Sequence, residues 1–114
     1  MITHTVLFQP GPSVGPDTKA AILESLTRAI RQCPTVRACR IGRRIRHGRP
    51  GYEQQMREDY QYLLLLEFDN IDGLRAYLEH PAHKTIGGFF TTAAAASLAY
   101  DYEVVDLRDA ERLL

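Results

Sequence analysis

The stretch YQYLLLLEF, residues 60–68, carries the strongest structural signal in the chain. It is apolar at its centre and lies between polar, loop-forming residues, so it predicts a β-strand. Successive side chains of a strand point to opposite faces of a sheet. Leu64 and Leu66 therefore share one face, and Leu63 and Leu65 share the other. A strand with apolar residues on both faces needs cover on both sides of its sheet.

Three other segments also predict strands, because β-branched, aromatic or alternating apolar residues concentrate in them. They cover residues 2–8, 36–45 and 98–105. Segment 47–59 differs from them, since it contains Gly-Arg-Pro-Gly followed by a polar run. We expect a long, mobile connection there.

Helices are predicted between these strands by apolar residues at spacings of three and four. Asp17 or Thr18 is the expected N-cap of the first helix, which stops before residue 34. Asp69 or Asn70 is the expected cap of a short second helix. Pro81 ends that helix and starts a third one, because proline lacks an N–H group and favours the first helical position. The apolar positions of the third helix that face the core are expected at Ile86, Phe89, Phe90, Ala93 and Ala94.

This order of elements predicts an α+β fold of the ferredoxin-like βαββαβ kind. Its helices cover one side of a four-stranded antiparallel sheet. The other side stays bare, although Leu63 and Leu65 point toward it, and exposed apolar area costs about 25 cal/mol per Å². We therefore expect two copies to pair through this face as a homodimer.

The composition is that of one ordinary globular domain: 114 residues, 45% hydrophobic, with 14 basic and 14 acidic side chains. The neutral balance gives no overall field that would attract nucleic acid or a membrane. The N-terminus lacks the features of a secretory signal, which predicts a cytoplasmic location. Cys33 and Cys39 do not form a CxxC pair and are expected as reduced thiols. Phosphate-loop, dinucleotide-binding and hydrolase motifs are missing, and we expect no cofactor.

The segment Tyr77-Leu78-Glu79-His80-Pro81-Ala82-His83 is the candidate site for chemistry. If Pro81 opens a helix, His80 lies at its cap and His83 in its first turn, where the helix dipole disfavours an imidazolium. A neutral His83 could act as a general base, and the Tyr77 hydroxyl could orient it or hold an oxyanion. The alternative is that both histidines only cap the helix and fill the junction. Zinc binding by His80 and His83 would need a third ligand, so we expect no metal site.

Several segments of the chain resemble the stress-responsive dimeric α/β-barrel (Dabb) family over about residues 1–105. The resemblance rests on His4-Thr5-Val6-Leu7-Phe8, Pro34-Thr35-Val36, Ile41-Gly42, Glu67-Phe68 and the segment 77–83. It implies a Dabb-like domain over residues 1–105 and a C-terminal tail over 106–114. It also implies a dimer in which two four-stranded sheets meet face to face as a barrel.

Plant polyketide cyclases of this family close a linear tetraketide by an aldol condensation without a cofactor. Similarity to them implies that His83 and Tyr77 are catalytic and that His4 lies in the pocket. Two further pocket positions differ, because the cyclases have a histidine where this chain has Tyr62 and a tyrosine where it has Leu26. We expect Tyr62, Leu26 and His80 to contribute, with His4, to ligand binding.

A cluster of arginines offers a rival site, since six of them lie between residues 36 and 50: Arg37, Arg40, Arg43, Arg44, Arg46 and Arg49. They could bind an anion or nucleic acid, or they could protect an edge strand and pair with nearby acids. Nucleic acid is the less favoured partner, because no aromatic platform accompanies the charge. Three functions thus remain: a pocket near His83 and Tyr77 that binds a small hydrophobic or carbonyl-containing ligand, a cofactor-free cyclase-like enzyme with His83 as base, and an anion-binding module.

Overall fold

The computed structural model describes all 114 residues and has four strands and three α-helices. The strands are β1 (Ile2–Pro10), β2 (Ala38–Arg43), β3 (Tyr62–Phe68) and β4 (Ala94–Glu103), and the helices are α1 (Pro16–Gln32), α2 (Ile71–Glu79) and α3 (Pro81–Thr92). Two short 3₁₀ helices cover Glu53–Gln55 and Leu107–Leu113. The expected ferredoxin-like α+β fold is confirmed, with the second helix of the motif split into α2 and α3.

The sheet has the strand order β2-β3-β1-β4, and every neighbouring pair is antiparallel. Strands β3 and β1 are therefore the two central strands of the sheet. In its register with β1, Val6 pairs with Leu64 and His4 with Leu66. These residues lie on the helix-covered face, where Leu66 and Phe68 are completely buried. The core forms between this face and the helices, and it includes Leu26, Leu74, Tyr77 and Ile86.

The opposite face of the sheet has no helix over it. By strand alternation and register, it carries apolar side chains from three strands: Leu7, Leu63, Leu65, Leu98, Tyr100 and Tyr102. On β4, Leu98 is 36% exposed, Tyr100 56% and Tyr102 52%. The Tyr100 and Tyr102 rings lie 6.4 Å apart between centroids. We call this apolar surface the bare face.

The predicted bounds of β1, β2 and β4 differ from the observed ones. Strand β2 was expected over 36–45 and covers Ala38–Arg43. Just outside it, the backbone N–H groups of Arg37 and Arg44 still donate hydrogen bonds to the carbonyls of Glu67 and Gln61. Beyond this point the chain leaves the sheet, and Ile45 is 79% exposed. Strand β4 starts at Ala94 instead of Leu98 and runs to Glu103. Its start lies opposite Pro10, since β1 extends two residues further than expected.

The predicted starts of the helices are confirmed for α2 and α3 and wrong for α1. Asn70 caps α2, because its side-chain oxygen accepts a hydrogen bond from Gly73 N–H at 3.0 Å. Pro81 begins α3 as expected. Helix α1 is the exception, since Gly15 is its N-cap and makes no side-chain hydrogen bond. Pro16 sets the first helical turn, which leaves Asp17 inside the helix beside the positive dipole end.

Candidate functional site

Three of the residues singled out in the sequence meet on the helix-covered face of the sheet. Tyr77 lies in the last turn of α2, His83 in the first turn of α3, and His4 on β1. The Tyr77 ring centroid is 4.9 Å from that of His83 and 6.0 Å from that of His4, both edge to face. Tyr77 is only 1% exposed. The ring of Tyr77 thus lies between the two imidazoles, and we call these three residues the His-Tyr-His cluster.

The junction between α2 and α3 positions two members of this cluster. Helix α2 ends at Glu79, and His80 adopts an extended backbone conformation that turns the chain into α3. The His80 Nδ1 atom accepts a hydrogen bond from Ala82 N–H at 3.1 Å. His80 therefore acts as the N-cap of α3, and its ring does not join the cluster.

His4 has a partner that the sequence did not indicate. Its Nδ1 atom lies 2.6 Å from the Oδ1 atom of Asp101 on β4. The register places the two residues directly opposite each other. Because the carboxylate accepts this hydrogen bond, Nδ1 carries a proton and the tautomer of a neutral His4 is set. Asp101 thereby extends the cluster to the edge of the sheet.

Burial shifts the pKa values of two cluster members in opposite directions. Desolvation lowers the pKa of His83, and the nearby charge of His4 lowers it further, while a hydrogen bond with the Leu78 backbone opposes both. Desolvation also raises the pKa of Tyr77 to about 12, with smaller contributions from Cys39 and Cys33. His83 is therefore neutral near neutral pH, and Tyr77 keeps its hydroxyl proton.

An apolar cavity of about 270 Å³ lies between the sheet and helices α1 and α3. Twelve of its 13 lining residues are hydrophobic, and Leu26 and Tyr62 are among them. None of the three cluster residues lines it, although its wall contains Val6, two residues from His4 on β1, and Ile86, three residues from His83 on α3. The cavity and the cluster therefore use neighbouring residues but are separate features of the fold.

The predicted site residues thus fall into three groups. His4, Tyr77 and His83 form the cluster, Leu26 and Tyr62 line the cavity, and His80 caps a helix. No cluster of three His, Cys, Asp or Glu side chains is arranged to hold a metal ion. None of the helices has both the length and the apolar character needed to span a membrane.

Comparison with known proteins identifies the family. The model of the stress-responsive A/B barrel domain, Dabb, matches residues 2–104. This chain belongs to the Dabb family. No curated protein sequence matches it.

Solved structures with the same fold cover nearly the whole Dabb chain. A dimeric ferredoxin-like protein of unknown function from Jannaschia sp. is 25% identical, with a TM-score of 0.71 over 90% of this chain and 98% of its own. A Dabb protein from Mesorhizobium loti is 19% identical, with a TM-score of 0.69 over 91% and 96%. A hydroxynitrile lyase from Passiflora edulis is 12% identical, with a TM-score of 0.76 over 92% and 94%.

The arginine cluster of this Dabb protein is largely neutralised. Four of its six members form ion pairs: Arg37 with Asp69, Arg40 with Glu67, Arg44 with Asp59, and Arg46 with Asp59 and Glu53. Glu53 also accepts a hydrogen bond from the His47 backbone N–H at 2.9 Å. These contacts tie the 47–59 connection to the end of β2, and they reduce the positive charge available to an anionic partner.

Two residues of the site were missed by sequence reasoning. Asp101 belongs to an alternating strand, and only the β1–β4 register brings it opposite His4. Lys19 lies in α1 and lines the cavity, where its ammonium is 5.5 Å from the centroid of the Tyr62 ring. A single lysine on an amphipathic helix gives no sequence signal for a site. The signal that could have been read for Asp101 was its acidic side chain between two tyrosines, Tyr100 and Tyr102.

Proposed function

We propose that this Dabb protein binds a small hydrophobic or carbonyl-containing ligand, and that it does so as a homodimer. The cavity carries this proposal. A concave apolar site with few polar groups is the usual form of a small-molecule site, although about 270 Å³ is at the small end of the range. The ligand would contact Leu26 and Tyr62 directly, whereas His4, Tyr77 and His83 do not line the cavity.

Binding can be tested by calorimetry and thermal unfolding with a series of small aliphatic and aromatic ketones. A ligand at 100 times its Kd would stabilise the fold by about 2.7 kcal/mol and raise Tm by several degrees. Ile41→Trp adds volume to the cavity wall and should weaken binding, whereas Ile45→Trp, four residues further along, lies outside the cavity and should not. Equal effects of both variants, or no binding of any ketone, would contradict the proposal.

The homodimer is proposed through the bare face. Covering the apolar side chains of β1, β3 and β4 with a second copy of the same face removes them from water. The dimeric description of the Jannaschia protein supports the same assembly here. In this arrangement the helices of each protomer stay on the outside. Each copy keeps its own cavity, and we assign residues 1–105 to the pairing domain and 106–114 to a tail.

A second candidate function is cofactor-free enzymatic proton transfer on a carbonyl substrate, as in a polyketide-cyclase-like aldol reaction. The observation that favours it is the contact between the Tyr77 and His83 rings, whose centroids are 4.9 Å apart, with His83 only half-buried at the start of α3. A neutral His83 could remove a proton from the carbon next to a carbonyl, and the protonated Tyr77 could donate a hydrogen bond to the enolate oxygen. The similarity to a hydroxynitrile lyase is consistent with enzymatic use of this scaffold.

This second function predicts exchange of the protons next to a ketone carbonyl for deuterium, which NMR in D₂O can follow. His83→Gln should lower the exchange rate by about 10²-fold or more, since general bases contribute on that scale. His47→Gln in the surface connection is the matched control and should leave the rate unchanged. Ketone binding without any exchange above the background rate would leave binding alone as the function.

A further inference from the structure

Lys19 is the one charged residue in the cavity wall. Its side chain is partly buried in α1, and its ammonium lies over the Tyr62 ring at 5.5 Å from the centroid. It forms no ion pair, in contrast to Arg28 of the same helix, which pairs with Glu24. An aromatic face compensates an ammonium only weakly at exposed sites. Lys19 therefore brings a positive charge without a counter-ion to the cavity wall.

A carboxylate is the group that would complement this charge best. It accepts charge-assisted hydrogen bonds from an ammonium, and these are about twice as strong as neutral ones. Next to apolar walls, the attraction between the two charges is also stronger than in bulk water. A ligand whose only polar group is a carboxylate would pair with Lys19 and place its apolar part against the hydrophobic walls.

The cavity size favours a small ligand. Its volume of about 270 Å³ lies near the lower limit of ordinary small-molecule sites, which is about 300 Å³. A medium-chain acid suits such a site, with its chain against residues such as Leu26 and Ile86.

We propose that the cavity selects a small apolar monocarboxylate, with the carboxylate paired to Lys19 and the apolar chain inside the cavity. This inference rests on the proposed ligand-binding function and names its ligand class. The ammonium would then lie between the Tyr62 ring and the carboxylate of the ligand. This arrangement would fix the position of the carboxylate. Lys19 would thus determine specificity, and the apolar wall would supply most of the affinity.

The test compares three probes of nearly equal size by calorimetry near neutral pH: octanoate, 1-octanol and octylamine. The intact protein should bind octanoate about fivefold or more tightly than octanol, and octylamine most weakly. Lys19→Gln should remove the preference for octanoate while the affinity for octanol stays unchanged. Lys19→Arg should keep the preference. The matched control is Lys84→Gln, because Lys84 is the other lysine of the chain, is exposed on α3 and lies outside the cavity.

Added salt gives an independent readout. It should weaken octanoate binding, since it screens the ion pair, and leave octanol binding unaffected. Equal affinities of octanoate and octanol, or equal losses for both probes in Lys19→Gln, would overturn the carboxylate assignment and leave the ligand-binding function standing. Binding of none of the three probes would overturn both. Loss of the octanoate preference in Lys84→Gln as well would also overturn the role of Lys19.

Discussion

The imidazole of His4 and the carboxylate of Asp101 form the contact that links the His-Tyr-His cluster to the edge of the sheet. Their Nδ1 and Oδ1 atoms lie 2.6 Å apart although the residues are 97 positions apart in sequence. His4 is 6% exposed, so water cannot readily replace a lost partner. The contact therefore joins the first and last strands through a side-chain bond as well as through the backbone ladder.

Removing the Asp101 carboxylate should destabilise the fold. Asp101→Ala leaves the His4 Nδ1–H without its acceptor, and we expect the free energy of unfolding to fall by about 1–2 kcal/mol. Urea denaturation measures this difference. Glu103→Ala is the control, because Glu103 lies on the same strand and face but makes no ion pair. Its effect should stay within about 0.5 kcal/mol. Similar losses in both variants would contradict the role given to Asp101.

His83 should titrate below the pKa of about 6.5 that is usual for histidine. Desolvation and the neighbouring His4 both disfavour its charged form, and only the Leu78 backbone contact favours it. NMR titration of the four imidazoles measures this directly, with the solvent-accessible His47 as the internal comparison. A His83 pKa at or above 6.5 would contradict the prediction.

The same shift has a consequence for stability. With its folded pKa below its unfolded pKa, His83 binds more protons in the unfolded state, so the free energy of unfolding falls as the pH drops below about 6.5. Below the pKa of His83 in the folded protein, both states are protonated, and this group lowers the free energy of unfolding no further. Urea denaturation of the protein and of His83→Gln over this range should show a weaker acid dependence in the variant. The difference between the two proteins then reports His83 together with its electrostatic coupling to His4.

Neighbouring leucines of β3 should respond differently to truncation. Leu66 is completely buried against the helices, so Leu66→Ala should cost about 2–5 kcal/mol of unfolding free energy. Leu65 lies on the bare face, and Leu65→Ala should cost clearly less when unfolding is measured on separated protomers. Chemical denaturation of dilute samples of both variants makes the comparison. An equal cost for the two would contradict the assignment of faces.

Pairing through the bare face should depend on its apolar character. Leu65→Glu brings two carboxylates into the proposed interface, and burying unpaired charges there is strongly unfavourable. Light scattering should then report the mass of a monomer, while circular dichroism shows that the fold is retained. Leu107→Glu, in the exposed C-terminal 3₁₀ helix, is the control and should leave the dimer mass unchanged. A monomeric parent protein at micromolar concentration would refute the pairing itself.

Nucleic acid should bind only weakly to the arginine cluster, because four of its six side chains already pair with carboxylates. Fluorescence anisotropy with labelled single- and double-stranded oligonucleotides measures the affinity. Charge reversal by Arg43→Glu and Arg44→Glu should have little effect on any residual signal. Tight binding with a steep salt dependence, lost in that variant, would revive the anion-binding hypothesis.

The start of β4, which sequence reasoning placed too late, has a physical cause. The alanines at 93–96 have high helix propensity and no glycine or proline interrupts them, so the helix was expected to continue through Ala93 and Ala94. In the fold, Gly11 N–H donates a hydrogen bond to the Ala93 carbonyl at 2.7 Å, and β4 starts at the next residue. Pairing with a distant strand overrides local propensity there, and sequence alone cannot supply that pairing.

The sequence by itself determined the elements whose signals are local. The leucine run predicts a strand that is apolar on both faces, Pro81 divides two helices, and Asp69 or Asn70 starts the first of them, because periodicity, ring geometry and capping act over a few residues. Only the tertiary structure decided that Asp101 meets His4 and that Lys19 faces an apolar cavity beside Tyr62. Those relationships depend on strand register and helix placement, which long-range packing sets.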